Sequence, residues 1–411
     1  MAMDAHTEAG RTWFLKGIAA FERGEFDAAE QAFVQALSHV PGRPSVLLNL
    51  GVTRVHRQRF ADAIDPLSAA VAADASMADG WVALGQALAE TGRWADALNA
   101  IDRARALGID HPDLALRRAR VLARLHRWAE AMQAYQQLLT LAPGQGAAWV
   151  ELGEIYRQHG QTDRAAEAYR QGQAHGADPE WVQYLLAAVT QTGHVPQPPR
   201  AYVQTLFDQY AADFDQHLVG TLRYQGHQAV VDLLPVTPGH AWGDVLDLGC
   251  GTGLCGDALR TRATRLVGID LSADMLDKAR ARGVYHSLHH GDVHEVLETL
   301  DGPFDAVVAA DVFIYVGELD RLFAALAPRL RSGGYVAFSV ESGPAGSGAR
   351  LLPSLRYSHA PDYIDQLARR HGFVRHAQHT APIRFDQARP VMADFVCLVK
   401  SVTLGHTVIG E

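Results

Sequence analysis

The chain has 411 residues, of which 48% are hydrophobic and 20% are charged, and its formal net charge is −9. This composition is typical of globular proteins and excludes general disorder, while the length predicts two or three domains. The negative charge provides no electrostatic footprint for nucleic acid, so we expect no nucleic-acid partner.

The cysteines and the N-terminal sequence indicate the cellular compartment of the protein. Cys250, Cys255 and Cys397 show no C-x-x-C spacing, which argues against a disulfide framework and a zinc site, so we expect no metal. The first residues lack a basic stretch followed by an apolar core, and no apolar run approaches the roughly 18 residues that a membrane span needs. We therefore expect a cytoplasmic protein with no membrane partner.

A period of 34 residues runs through the first half of the chain. A small residue recurs at one position of the period, alanine at a second, and a large apolar or aromatic residue at a third. The three sets keep one register: Gly17, Gly51, Gly85, Ala119 and Gly153; Ala29, Ala63, Ala97, Ala131 and Ala165; Phe33, Leu67, Ile101, Tyr135 and Tyr169. Such a period indicates stacked units in which small residues allow close approach of paired elements.

The period and the residue types resemble those of the tetratricopeptide repeat (TPR), a helix-turn-helix unit. The resemblance implies an all-α solenoid of five repeats over residues 1–192, with a capping helix from Trp181 to Gln191. The fourth repeat departs from the pattern, with Ala119 in place of glycine and Arg118 where leucine is usual. In this family the concave surface usually holds a peptide or a protein, so we expect a protein partner or self-association there. A scaffold or dimerisation arm is the alternative.

A linker follows the repeats. Residues 193–200 contain three prolines and cannot continue a helix. The next segment is amphipathic and carries aromatic residues, among them Tyr202, Phe207 and Tyr210. An aromatic stripe at helical spacing is most often a core face, and that interpretation stays open here.

The segment Asp244–Gly256 has the form of a buried strand, a glycine-rich turn and a helix. An apolar run ends at Leu248, and the chain then turns through Gly249, Gly251 and Gly253. Glycine at these positions lets a ligand lie against the backbone and permits positive φ. The segment therefore predicts a nucleotide-type loop at the carboxyl end of a strand.

Two families use such a loop. The glycines fit G-x-G-x-x-G, the dinucleotide fingerprint, which is a weak match alone. The longer pattern Asp247-x-Gly249-x-Gly251-x-Gly253, with the acid inside the strand, resembles motif I of the class I S-adenosylmethionine-dependent methyltransferases. The resemblance implies a Rossmann-like seven-stranded domain over residues 201–411, with S-adenosylmethionine as its cofactor. A dehydrogenase, which would place a pyrophosphate on the helix N-terminus, is the alternative.

The methyltransferase resemblance implies cofactor contacts along the predicted strands. In the family, the strand acid, here Asp247, orients the cofactor's amino group, directly or through water. A carboxylate at the end of the second strand, Asp270, can accept both ribose hydroxyls. Asp292 accepts the adenine amino group, Val293 packs on the ring, and Tyr210 lies in a lid helix over the cofactor. The predicted cofactor-binding set is Tyr210, Asp247, Gly249, Cys250, Gly251, Gly253, Asp270, Leu271, Met275, Asp292, Val293 and Asp311.

The acceptor side is predicted at two places. Strand four ends in Asp311, at the point where strand order reverses and ligands bind in open sheets. A second group precedes a later helix, where many relatives insert substrate-contacting residues. The predicted substrate-binding set is Phe313, Tyr315, Arg356, Tyr357 and His359, and the predicted catalytic set is His359, Asp311 and Tyr315. His359 or Asp311 would act as a base where a hydroxyl acceptor needs one, and Arg384 and Arg389 are further candidates. A structural role is the alternative for each.

Three functions stand open at this point. The first is methyl transfer to an oxygen or nitrogen atom of a small molecule, or of an acceptor bound to a carrier or peptide. The second is methylation of a protein that the repeats dock. The third is a binding module without catalysis, which the intact glycine loop and Asp270 disfavour.

Overall fold

The structure is a computed structural model, which describes residues 2–192, 195, 197–210, 215, 220, 223–235, 241–386 and 389–402. The contacts between residues divide the chain into two compact units, Met1–Asp178 and Pro179–Glu411. Among the described helices, none combines the length and the apolar content that crossing a membrane requires.

The described part of the first unit consists of ten α-helices in five consecutive pairs. The pairs are α1 (Ala2–Glu22) with α2 (Phe26–His39), α3 (Pro44–His56) with α4 (Phe60–Ala73), α5 (Ala78–Glu90) with α6 (Trp94–Ala106), α7 (Pro112–Arg124) with α8 (Trp128–Leu141), and α9 (Gly146–Gln158) with α10 (Thr162–Ala174). The predicted all-α repeat architecture is confirmed.

The periodic glycines bring the two helices of a pair together. A Cβ atom at Gly51 would lie 2.4 Å from Cγ of Leu67, and one at Gly153 would lie 2.4 Å from Cε1 of Tyr169. Both of the large residues are fully buried. Because a side chain at either glycine would force the helices apart, the period has the physical cause that the sequence predicts.

The turn inside each pair uses one left-handed residue, again at steps of 34 residues. The φ angle is +75° at Gly24, +57° at Gln58, +77° at Gly92, +57° at His126 and +70° at Gly160. Glycine adopts this conformation without steric cost, whereas glutamine and histidine do not. The repeat architecture therefore imposes the turn even where the sequence does not supply glycine.

The second unit is built on one mixed sheet. Its helices are α11 (Pro179–Thr190), α12 (Arg200–Tyr210), α13 (Gly226–Asp232), α14 (Leu254–Leu259), α15 (Ala273–Arg282), α16 (Val293–Thr299), α17 (Asp320–Leu326) and α18 (Pro361–Arg370). Its strands are β1 (Trp242–Leu248), β2 (Ala263–Asp270), β3 (Ser287–His290), β4 (Phe304–Ala309), β5 (Leu330–Ser342), β6 (Ala349–Leu351), β7 (Tyr357–His359), β8 (Phe373–Asp386) and β9 (Arg389–Lys400).

The strand order confirms the predicted Rossmann-like sheet. Strands β3, β2, β1, β4 and β5 are parallel neighbours in that order. Strand β9 pairs antiparallel with β5 and with β8, as the predicted final hairpin requires. Two short strands, β7 and β6, continue the sheet from the end of β5 and add to the seven that we predicted.

The central strands are buried on both faces. In β1, Leu246 and Leu248 pack in one apolar core, whereas Val245 packs in the other, because successive side chains of a strand point to opposite faces. Strand β1 lies between β2 and β4, and the loops that leave the carboxyl ends of these three strands meet at one edge of the sheet.

The helix that we predicted to cap the repeats is grouped with the second unit. In α11, the Tyr184 hydroxyl donates to the carbonyl oxygen of Leu355 at 2.8 Å. Just after it, Gln191 Nε2 donates to the carbonyl oxygen of Leu351 at 2.9 Å. The contacts thus divide the chain before α11. We predicted a division after α11, in the proline-rich linker of residues 193–200. The predicted domain limits, 1–192 and 201–411, stay a prediction. Residues 193, 194 and 196 of that linker lie outside the described residues.

We expect a fragment of residues 179–411 to be more stable than a fragment of residues 193–411. The longer fragment keeps α11 and the hydrogen bond from Tyr184 to Leu355, and one such bond contributes about 1 kcal/mol. Urea unfolding followed by circular dichroism measures the difference. In the full chain, Tyr184→Phe removes only the hydroxyl and should lower the free energy of unfolding by about 1 kcal/mol. Equal stability of the two fragments would contradict a stabilising role of α11 in the second unit.

Candidate functional site

The glycine loop between β1 and α14 is left-handed at three positions. The φ angle is +61° at Gly249, +53° at Gly251 and +94° at Gly253. A Cβ atom at Gly249 would lie 2.5 Å from Cγ2 of Val312, whereas one at Gly251 would meet nothing within 4 Å. The first glycine thus allows the loop to pack on its neighbour, and Gly251 leaves open space beside its backbone.

Asp270, at the end of β2, holds this loop. Its Oδ2 accepts the backbone N–H of Gly251 at 2.7 Å, and its Oδ1 accepts the backbone N–H of Ser272 at 2.9 Å. The residue is 8% exposed, and burial raises the pKa of its carboxyl although these hydrogen bonds oppose the shift. A carboxylate has about four lone-pair sites, so two bonds leave acceptor capacity for a ligand.

A cavity of about 580 Å³ lies at this edge of the sheet, and the loop and Asp270 line it. Most of the predicted site residues are brought together here. Those that line the cavity are Gly249, Cys250, Gly251, Asp270, Leu271, Asp292, Val293, Asp311, Tyr315 and Arg356. Residues predicted for the cofactor and residues predicted for the acceptor therefore line the same cavity.

Asp292 caps α16 within the cavity lining. Its Oδ1 accepts the backbone N–H of His294 at 2.8 Å and lies 3.0 Å from Nδ1 of the same residue. The hydrogen bond from the His294 side chain is the largest cause of the lowered pKa of Asp292. Val293 follows it in the lining, as predicted, and His294 lines the cavity as well, which we did not predict.

Asp311 is held in a fixed conformation by two partners. Its φ angle is +61°, and its backbone N–H donates to Ser339 Oγ at 2.8 Å. Nη1 of Arg384 donates to both carboxylate oxygens, at 2.9 Å and 2.8 Å, and this arginine is only 3% exposed. Asp311 is thus the partner of a buried cation, and its carboxylate is not a free base. Arg384 lies in β8, whereas the side chain of Arg389 lies outside the described residues.

His359 does not face the cavity, contrary to our prediction. It is fully buried in β7, and its Nε2 donates to the carbonyl oxygens of Val316 and Gly317, both at 3.0 Å. Burial lowers its pKa to about 4. The ring is therefore a neutral structural donor near pH 7, and the general-base role predicted for it is wrong.

Four other predicted contacts are also absent from the cavity lining. Phe313 is fully buried and packs edge to face on Phe323 in the apolar core, and Tyr357 donates its hydroxyl to the carbonyl oxygen of Val195 at 2.7 Å. Met275 is completely buried in α15. Gly253 faces Arg282, whose Cδ would lie 2.9 Å from a Cβ atom there. These residues position the walls of the site rather than line it.

Asp247 lies inside the sheet and outside the cavity lining. It is 1% exposed, and its Oδ2 accepts a hydrogen bond from the Tyr285 hydroxyl at 2.7 Å. Its Oδ1 has no hydrogen-bond partner among the described residues. Burial raises the pKa of this carboxyl to about 7, although the Tyr285 hydrogen bond opposes the shift. The contact with the cofactor's amino group, direct or through water, stays a prediction, since Asp247 is not among the residues that line the cavity.

Helix α12, which we predicted to be a lid, contributes to the lining of the cavity. Four of its apolar or aromatic residues line it: Tyr202, Val203, Leu206 and Phe207. The Phe207 ring lies 5.2 Å from the Tyr315 ring, and Asp208 accepts a hydrogen bond from Ser272 Oγ at 2.6 Å. The side chain of Tyr210 lies outside the described residues, so its predicted contact stays a prediction.

The sequence did not identify two lining residues that precede the sheet, Tyr224 and His227. Their rings lie 5.7 Å apart, and Nδ1 of His227 has no hydrogen-bond partner among the described residues. Burial lowers the pKa of His227, so its imidazole is neutral near pH 7. No sequence motif marks either residue. Where the structure describes the chain, no group of three His, Cys, Asp or Glu residues has a geometry that could hold a metal ion.

Known families match both units in sequence. A family described as "Methyltransferase domain" matches residues 245–334. Two families described as "Tetratricopeptide repeat" match residues 14–78 and 82–146, and residues 122–189. The last of these ranges includes nearly all of α11.

Curated relatives share the methyltransferase part. The malonyl-[acyl-carrier protein] O-methyltransferase of Serratia marcescens is 34% identical over 26% of this chain and 42% of its own length. The trans-aconitate 2-methyltransferase of Deinococcus radiodurans is 34% identical over 29% of this chain and 46% of its own. The ubiquinone biosynthesis O-methyltransferase of Aromatoleum aromaticum is 32% identical over 26% of this chain and 48% of its own length. The chain thus spans about half the length of the curated relatives it matches, or less.

Solved structures of other proteins each resemble about half of this chain. A magnesium protoporphyrin IX methyltransferase from Synechocystis with bound S-adenosylhomocysteine is 18% identical, covers 49% of this chain and 100% of its own, and has a TM-score of 0.38. A crystal structure of the MamA protein is 24% identical, covers 46% of this chain and 99% of its own, and has a TM-score of 0.39.

Replacing Asp247 by asparagine should make the stability of the protein less dependent on pH. The carboxyl's pKa is raised from 3.8 to about 7 on folding, so the folded state holds the proton more tightly. This contribution is fully present below 3.8 and is lost as the pH rises through 7. Asparagine keeps the shape but does not titrate.

Urea unfolding of both proteins near pH 5 and near pH 8 measures this effect. The wild type should lose more stability than the variant between the two values. His359 titrates with the opposite sign, because its pKa is lowered, but it is present in both proteins and cancels in the comparison. An equal loss in the two proteins would contradict the raised pKa of Asp247.

Proposed function

We propose that this chain, which carries a methyltransferase domain of the S-adenosylmethionine-dependent class together with tetratricopeptide repeats, is a methyltransferase acting on an oxygen or nitrogen atom. Its acceptor is a small molecule, or a group bound to a carrier or peptide. The observation that carries the proposal is the cavity at the ends of β1, β2 and β4, with bare backbone at Gly251 and the Asp270 carboxylate beside it. Two of the relatives are named as O-methyltransferases, one of them for a malonyl group on an acyl-carrier protein, which supports an oxygen acceptor.

The residues of the cavity fit the cofactor. The space beside Gly251, which a Cβ atom would fill, leaves main chain for the cofactor to lie against. Asp270 is the proposed acceptor for the ribose hydroxyls, since a carboxylate has about four lone-pair sites and the N–H groups of Gly251 and Ser272 bond one to each of its oxygens. Asp292 and Val293 are the proposed contacts of the adenine ring, and Leu271 lies between the two parts of this wall.

Binding and alignment account for most of what the chain supplies to the reaction. The cofactor carries an activated methyl group, so the protein has to orient the acceptor and exclude water. Helix α12 covers the cavity, and Tyr315 and Asp311 line its acceptor side. Where the acceptor is a hydroxyl, the neutral imidazole of His227 is the proposed proton acceptor, because Asp311 is paired with Arg384 and His359 is buried elsewhere.

The repeats are proposed to dock the acceptor-bearing partner or a second copy of the chain. A stack of helix pairs presents an extended surface that suits a peptide or protein. Methylation of the docked protein itself is the second candidate function, and it shares the same cavity. We keep the cytoplasm as the proposed location, since the three cysteines are buried free thiols that suit a reducing compartment.

Replacing Asp270 by asparagine should weaken the binding of S-adenosylhomocysteine. The amide donates where the carboxylate accepts, and a hydrogen bond to a charged group contributes about 1.5–3 kcal/mol, so the Kd should rise roughly 10- to 100-fold. Isothermal titration calorimetry on the full chain measures this, and Asp274→Asn, at an exposed position of α15, is the matched control. A wild-type chain that ignores S-adenosylhomocysteine at millimolar concentration, or that binds a dinucleotide instead, contradicts the proposed function.

Removal of residues 1–178 separates the two candidate functions. We expect the shortened chain to keep its affinity for S-adenosylhomocysteine, because every described residue that lines the cavity belongs to the second unit. If the repeats dock the acceptor, transfer of a labelled methyl group to components of a cell extract should fall at least tenfold. A loss confined to the protein fraction favours methylation of a docked protein, and an unchanged pattern in every fraction contradicts a docking role.

A further inference from the structure

The arginines of the cavity differ in their partners. In the described part of the chain, four arginines line it: Arg200, Arg321, Arg356 and Arg384. Three of them form ion pairs: Arg200 with Glu295 at 2.9 Å, Arg321 with Glu298 at 3.5 Å, and Arg384 with Asp311 at 2.8 Å. Arg356 has no carboxylate within ion-pair distance among the described residues. Of these four arginines it is thus the one without a direct ion pair in the part of the chain that the structure describes, although the Asp311 and Glu341 carboxylates lie near enough to raise its pKa.

A tight turn holds Arg356 in place. The N–H of Leu355 donates to the carbonyl oxygen of Leu352 at 2.9 Å, and the N–H of Leu352 donates to the carbonyl oxygen of Arg356 at 2.8 Å. Leu355 has a φ angle of +64°, and its carbonyl oxygen accepts the hydroxyl of Tyr184. A left-handed leucine is costly, so the surrounding hydrogen bonds must over-determine this turn. The base of the Arg356 side chain is thus fixed.

The surroundings of Arg356 combine polar and aromatic groups. Burial disfavours its charged form, but the nearby Tyr315 phenol and the Asp311 carboxylate raise its pKa overall, so the guanidinium stays charged. Tyr315 in turn packs against Phe207 of α12, with the ring centroids 5.2 Å apart. A ligand here meets a fixed positive charge beside an apolar aromatic wall.

We propose that Arg356 binds a carboxylate group of the methyl acceptor. The inference rests on the proposed function, since it assigns the acceptor's chemical class. A guanidinium presents a planar fork that matches the two oxygens of a carboxylate. A dianionic phosphate is less suitable, because Asp311 and Glu341 lie close enough to Arg356 to influence its pKa and would repel a second negative charge. The rings of Tyr315 and Phe207 provide the surface for an apolar body next to the carboxylate.

Three small probes test this assignment on the full chain saturated with S-adenosylhomocysteine: benzoate, benzamide and phenyl phosphate. They share one aromatic ring and differ in charge. Ligand-observed NMR titration should show that benzoate binds roughly tenfold or more tightly than benzamide, the size expected for a hydrogen-bonded charge pair. Benzoate should also bind more tightly than phenyl phosphate.

Variants of Arg356 test whether this side chain causes the preference for benzoate. Arg356→Gln should abolish the preference for benzoate over benzamide, and Arg356→Lys should restore part of it, because lysine keeps the charge without the fork. Arg280→Gln, at an exposed position of α15, is the matched control and should leave the preference unchanged. Thermal unfolding and S-adenosylhomocysteine affinity, measured for each variant, should stay at wild-type values, which a merely structural role of Arg356 would not allow.

The outcomes separate the two proposals. Equal binding of benzoate and benzamide, binding of neither, tighter binding of phenyl phosphate, or an undiminished preference in Arg356→Gln would each overturn the carboxylate assignment. Absence of S-adenosylhomocysteine binding by the wild type would instead contradict the proposed function. In that case the same three probes, applied to the chain alone, still test whether Arg356 binds a carboxylate.

Discussion

The site depends on one buried carboxylate that joins two strand ends. Asp270 accepts the N–H of Gly251 from the loop after β1 and the N–H of Ser272 after β2. Ser272 extends the network, because its hydroxyl accepts the N–H of Met275 and donates to Asp208 of the covering helix α12. Without this carboxylate the loop, the start of α15 and the cover would have no common anchor, and the cavity between them would lose its shape.

Asp247 and Asp270, the two buried acids at the ends of β1 and β2, differ in their hydrogen-bond partners. Burial raises the pKa of both, and the negative charge of Asp270 adds to the rise at Asp247. Backbone donors stabilise the charge on Asp270, which still lines the cavity. Asp247 accepts a hydrogen bond from the Tyr285 phenol and is not among the residues that line the cavity. Hydrogen bonding therefore decides which of two similar carboxylates is available as an acceptor for a ligand.

The residues predicted for the cofactor lie in the cavity lining more often than the residues predicted for the acceptor. The glycine loop and Asp270 are set by short segments at strand ends, whose place in a parallel sheet follows from topology. In contrast, the segment Arg356–His359 enters strand β7, an addition to the predicted sheet, so its residues do not share one face. Arg356 lies in the cavity, while His359 is buried. Arg384 meets Asp311 across 73 residues of sequence, a pairing that no local spacing encodes.

Helix α11 shows why a domain limit drawn from sequence can differ from one drawn from contacts. Its residues continue the repeat pattern closely enough for a repeat family to match through residue 189. Its side chains, however, bind the second unit, and Tyr184 holds the carbonyl of Leu355 in the turn that carries Arg356. A periodic sequence specifies which faces of a helix are apolar, but not which neighbour covers them. The turn that carries Arg356 is consequently held by a helix that a repeat family matches in sequence.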